Sequence, residues 1–138
     1  MNFAFLWRKP MKVVIDRTKW RRGGDRHELV KEGGKTQLLN DKGMMCCLGF
    51  VSKACGHTDK DILYVGGPGG IREKSENLIS YLLRYRSGYP KQPYNLVENK
   101  LTDQAIAIND KFDLPQKERE DRLSQLFAKH RIQLEFVN

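Results

Sequence analysis

The segment GMMCCLGFVSKACG, residues 43 to 56, constrains the fold of this chain more than any other. Met44, Cys47, Leu48, Val51, Ala54 and Cys55 recur at helical spacing and form one apolar face. Gly56 stands where a left-handed C-cap is expected. The spacing predicts a buried helix from roughly Met44 to Cys55, with Cys47 and Cys55 in the core. Cys46 falls beside Phe50 on the flank, where its thiol would reach solvent.

A buried helix needs partners, and the sequence offers them on both sides. MKVVID, from Met11, carries the β-branched run Val13, Val14 and Ile15 of a short strand. Ile132, Leu134 and Phe136 alternate as a closing strand, and pairing it with Val13 to Asp16 would bring both into one small sheet. Leu38 and Leu39 suggest a further short strand, and Ile62 to Val65 a short ordered piece in the connection after the buried helix. Ser75 can cap a helix with Leu78, Ile79, Leu82 and Leu83 inward, ended at Ser87-Gly88. Thr102 is expected to open a short helix through Ala105, Ile108 and Phe112. The last helix is expected to start after Asp113 with Pro115 in its first turn, Leu123, Leu126 and Phe127 inward, and Glu118 paired with Arg122 on the surface. The fold class expected is α+β: one domain over residues 11–138, with a sheet of two to four strands covered by three or four helices and residues 1–10 an appended arm.

No apolar run is long enough to span a bilayer, and NFAFLW is too short for a signal-peptide core, so a cytoplasmic protein without membrane contact is expected. Three cysteines, two of them adjacent, do not make a disulfide framework. Net charge is +8, and it is uneven: residues 1–35 hold ten Lys or Arg against four Asp or Glu. An anionic partner is the natural counterpart of that field. Two clusters could receive it. Arg17, Trp20, Arg21 and Arg22 lie together near the N-terminus, and Arg84, Tyr85 and Arg86 fall within YLLRYRSGYPKQPY. Cations that neutralise phosphates beside rings that stack on bases suit a nucleic acid or nucleotide. The same residues can instead serve structure, with arginines near a helix C-terminus and rings in packing.

VVIDRTKW with RRGG, MMCCLGF with Cys55-Gly56, IAIND, and REDRLSQLFAKH running into LEFV resemble small proteins encoded in tailed-phage and prophage genomes. The resemblance covers most of the chain from Met11, with residues 57–100 weakly matched. That group is largely of unknown function and supplies no catalytic residues. It implies a short accessory protein in the host-cell cytoplasm, of a kind that binds and redirects host or defence components.

Other chemistries fit less well. Adjacent helical residues diverge by about 100°, so Cys46 and Cys47 cannot share one small ion, and no metal or other cofactor is expected. A catalytic thiol at Cys46 or Cys47, with His27, His57 or His130 as base, would profit from the helix N-terminus, yet Met44, Met45, Leu48 and Phe50 make an apolar setting that keeps a thiol inert. GGPGG, residues 66–70, lacks the Lys-Ser/Thr ending of a phosphate loop and reads as a flexible connection. The expected function is non-enzymatic: binding of a nucleic acid, a nucleotide signal or an acidic surface of a host or defence protein. The alternatives are a small cysteine enzyme and an inhibitor acting purely through protein contacts. Oligomeric state stays open, a homo-oligomer included.

Overall fold

The structure, a computed structural model, describes residues 10–23, 36–71 and 95–138, the side chains only from 101 in the last stretch. The α+β class is confirmed. Strand β1 (Met11–Asp16) runs parallel to β2 (Ile132–Val137), with Val13 opposite Leu134 and Ile15 opposite Phe136. Strict alternation gives this pair two different faces. Val13, Ile15 and Ile132 are buried, whereas Lys12 and Val14 face solvent and Lys12 bonds Glu135 at 2.7 Å. A two-stranded ribbon is marginal by itself, so its inner face depends on the helices behind it.

Helix α1 (Cys47–Ala54) packs against β1, and its range corrects the expected one. Residues 44–46 are extended because Met45 is already engaged with the chain after β1: Arg21 N donates to Met45 O at 2.7 Å, and Met45 N to Lys19 O at 2.9 Å. Helix therefore begins only after Cys46, the N-cap residue. Cys46 is not on an exposed flank; it is 3% exposed, in the core with Cys47, Leu48, Val51 and Cys55. Gly56 does take a left-handed φ of +103°. Gly49 serves close approach: a Cβ there would lie 1.9 Å from the carbonyl oxygen of Leu38. A short helix α2 (Asp59–Ile62) follows, started by a capping box between Thr58 and Asp61. Leu39, expected in a short strand, and Leu63, expected in a short ordered piece, meet in a single parallel bridge.

Helix α3 (Asn95–Asp110) is longer than the sequence suggests. Thr102 lies inside it and is buried, because Leu101 and Ala105 on either side carry the packing face. Phe112 leaves the expected apolar line: it follows the helix end and is exposed. Helix α4 (Gln116–Ala128) has Pro115 as N-cap, one step earlier than expected, and buries Leu123, Leu126 and Phe127. The pair Arg122 to Glu118 forms at 2.5 Å. No glycine ends α4; Arg131 itself turns left-handed at φ +59° and hands the chain to β2. Helix α4 packs on both α3 and β2, and α3 on α1, which closes the core. The expected helix from Ser75 lies outside the described residues, as does the N-terminal arm apart from Pro10.

Candidate functional site

Of the residues expected to bind a partner, the four near the N-terminus are committed inside the fold. Arg17 makes a two-point pair with Glu120, Nε to Oε2 at 2.9 Å and Nη2 to Oε1 at 2.7 Å. That pairing holds the Glu120 carboxyl below its ordinary range, against the opposing effect of burial, and raises Arg17. Trp20 is 1% exposed; its ring centroid lies 5.1 Å from that of Phe136. Arg22 stacks over the Trp20 ring at 4.6 Å and donates to Gln116 Oε1 at 2.8 Å and Trp20 O at 3.0 Å. Arg21 is buried. This cluster is a seam between the chain after β1 and helix α4, and a base could reach the indole only if the seam opened. Arg84, Tyr85 and Arg86 lie outside the described residues.

The centre of the seam is a residue to which sequence reasoning gave no role. Asn109 is fully buried. Its Oδ1 accepts from Trp20 Nε1 at 2.7 Å and from Cys47 N at 3.0 Å, while Nδ2 donates to Arg21 O at 3.0 Å and Asp110 Oδ1 at 2.9 Å. Asp110 in turn accepts from Thr36 Oγ1 at 2.9 Å. The Asn109 carbonyl accepts from Gly23 N at 2.8 Å and from Arg119 Nη1 at 2.9 Å. Arg119, itself buried, also donates to Ile108 O at 2.7 Å and Leu114 O at 3.0 Å, so a guanidinium from α4 satisfies the last carbonyls of α3. One signal was available: Asn109 stands four residues after Ala105, a polar side chain on the packing face.

The thiols lie against this seam. Burial pushes the Cys46 thiol up to about 11, and drives Cys47 well above the ordinary thiol range with Cys46 and Asp110 adding to it. Both are therefore protonated at neutral pH, the opposite of what a nucleophile or metal ligand needs. His57 lies with Asp61 at the start of α2, Nδ1 to Oδ2 at 3.8 Å. No cluster of His, Cys, Asp and Glu suited to a metal ion occurs among the described residues. GGPGG is not a loose connection: Pro68–Gly70 makes a 3-10 turn that uses the amides of Gly70 and Ile71.

Concave surface occurs beside β2 and α4, lined by Ser124, Ala128 and Leu134, and, with lysines around it, between β1, the chain after it and α1. Two adjoining hollows of about 400 and 500 Å³ share Lys19, Met45 and Lys53. Phe50 and Val13 line the first and Leu39 the second, and Lys12 and Lys42 complete a rim of four lysines. The acids in the lining are Asp16 and Asp59, the latter 2.7 Å from Lys53. In the parallel pair the odd residues of β1 face β2, as the bonds from Met11 N to Arg131 O and from Arg17 N to Val137 O mark at 2.9 Å each. Lys12 and Val14 consequently turn their backbone N–H and C=O groups to the opposite side, where no partner for them occurs among the described residues.

Comparison with protein-family models, with curated proteins and with solved structures finds no match. Among the described residues no helix is long and apolar enough to cross a membrane.

Proposed function

We propose that the protein is a non-enzymatic, phage-type accessory protein of the host cytoplasm that binds an acidic protein surface on the lysine-rimmed groove between β1 and α1. The observation that carries this reading is the gathering of Lys12, Lys19, Lys42 and Lys53 around two adjoining depressions, Lys12 and Lys53 also pairing with Glu135 and Asp59, while Arg17, Arg21 and Arg22 are engaged by contacts of the fold itself. The phage setting rests on the resemblance of the VVIDRTKW, MMCCLGF and LEFV segments. An acidic protein is favoured over a nucleic acid because the groove lacks an exposed ring for base stacking: its one aromatic, Phe50, is buried. The buried, protonated thiols count against the cysteine-enzyme alternative.

Poly-glutamate serves as the test ligand, with single-stranded DNA in parallel. The triple reversal Lys19→Glu, Lys42→Glu, Lys53→Glu should abolish binding to poly-glutamate. The matched control Lys117→Glu, Lys129→Glu, Lys111→Glu, which changes net charge equally at residues that do not line the groove, should retain most of it. Equal loss in both variants would reduce the groove to a contributor of net charge and end the proposal. DNA binding that exceeds poly-glutamate binding and depends on the same three lysines would replace the acidic protein with a nucleic acid.

A further inference from the structure

We infer that the groove receives its partner as an added β-strand: an extended segment alternating apolar and acidic residues pairs with the free edge of β1. This deepens the binding proposal and rests on it. Four observations converge. The sheet has two strands among the described residues, and β2 occupies one side of β1 only. The N–H and C=O groups of Lys12 and Val14 point to the other side, where none of the described residues partners them, and Val14 is 48% exposed. An unpaired strand edge is a template for another chain, and natural proteins that keep one usually blunt it with charge or use it. Here the charge is confined to the ends and the facing wall: Lys12 at the start, Lys19 beyond the end, Lys53 across on α1.

Side-chain alternation then dictates the occupant. A strand laid along Lys12 to Val14 would turn every second residue toward the hollow lined by Met45, Phe50 and Ala54, which takes a small or branched apolar side chain. The intervening residues would point outward on the face of Lys12, and the segment would run on toward Lys19, so acids in those places pair and bases repel. A second copy of this chain meets the charge test badly, since it brings another +8 to a lysine rim. The occupant assigned is therefore a partner protein's acidic, strand-forming segment.

The experiment uses the full chain and the capped peptide Val-Glu-Val-Glu-Val-Glu-Val, with affinity by calorimetry and amide exchange by NMR. Binding should slow exchange of the Lys12 and Val14 amides by tenfold or more. Val14→Pro removes one edge N–H that does not bond β2, so the variant should keep its fold and bind at least tenfold more weakly with every lysine still present. If that variant does not fold, the same peptide N-methylated at alternate residues gives the equivalent test on the wild-type chain: one methylation register should lose binding. Peptide affinity that depends on Lys19 and Lys53 but ignores Val14→Pro and both methylation registers would overturn strand addition while leaving the charged groove in place. No binding of the peptide, with none of poly-glutamate, would end both. Protection of the same amides on concentration-dependent dimerisation without peptide would overturn the assigned partner in favour of a second copy.

Discussion

Trp20 Nε1 and Asn109 Oδ1 meet at 2.7 Å, 89 positions apart in sequence, and both side chains are shut off from water. The same oxygen holds the first amide of α1, Cys47 N, so one carboxamide fixes the chain after β1, helix α1 and helix α3 together. Replacing Asn109 by leucine keeps the volume and strands the Trp20 and Cys47 donors and the Arg21 carbonyl. A loss of about 3 kcal/mol or more is expected, since each buried unsatisfied group costs about 1–3 kcal/mol. Urea unfolding with tryptophan fluorescence measures it, and a loss under 1 kcal/mol would show that the hub is dispensable.

Arg119 tests the same architecture from the other side. Its guanidinium reaches the carbonyls of Ile108, Asn109 and Leu114 at once, a planar fork that an ammonium does not copy. Arg119→Lys should therefore destabilise nearly as much as Arg119→Met, both by about 2–4 kcal/mol. Thermal melts of the two variants decide, and full rescue by lysine would refute the geometric argument.

Gly49 and Gly66 form a matched pair. A Cβ at Gly49 collides with the Leu38 carbonyl, whereas at Gly66 nothing lies within 4 Å. Alanine normally helps a helix by about 1 kcal/mol over glycine, yet Gly49→Ala should destabilise by about 3 kcal/mol or prevent folding. Gly66→Ala should stay within about 0.5 kcal/mol of wild type.

The Arg17–Glu120 pair sets part of the acid response. Glu120 has its folded pKa lowered, chiefly by the Arg17 hydrogen bonds, so the pair stabilises the fold above the unfolded carboxyl pKa. Stability from it is lost as pH falls from the ordinary carboxyl value of 4.5 through the lower folded pKa. Glu120→Gln should be less stable at neutral pH and show a shallower loss over that window, as measured by melting temperature against pH.

Burial of all three thiols predicts that the native protein ignores an alkylating reagent at pH 8 and labels at Cys46, Cys47 and Cys55 only after unfolding. Fast native labelling of Cys46 would revive the cysteine-enzyme alternative.

Much of the frame was legible because local pattern determined it. The β-branched run does form a strand, with Val13 and Ile15 inward though Val14 faces out, Gly56 takes the left-handed turn that its place after the helix implied, and Leu123, Leu126 and Phe127 share one helical face. The site was not legible, for a physical reason. An arginine beside a tryptophan looks the same in sequence whether it awaits a ligand or its own fold, and the partners that decide the matter, Glu120 for Arg17 and Gln116 for Arg22, lie 103 and 94 positions away. The start of the buried helix misled for the same reason: Met44 stands at helical spacing from Cys47, Leu48 and Val51, but the pairing of its neighbour Met45 with Trp20 claims that segment first. The groove lysines come from separate segments and share no pattern that a sequence displays.

The parallel pairing of Met11–Asp16 with Ile132–Val137 has a consequence for synthesis on the ribosome. Strand β1 is translated before the helices described above, and the strand that pairs with it emerges only after all of them. Throughout that interval β1 lacks the strand it pairs with. A β1 strand that waits for β2 is exposed to other chains meanwhile, so slowing elongation between Asp110 and Ile132 should raise the yield of aggregate.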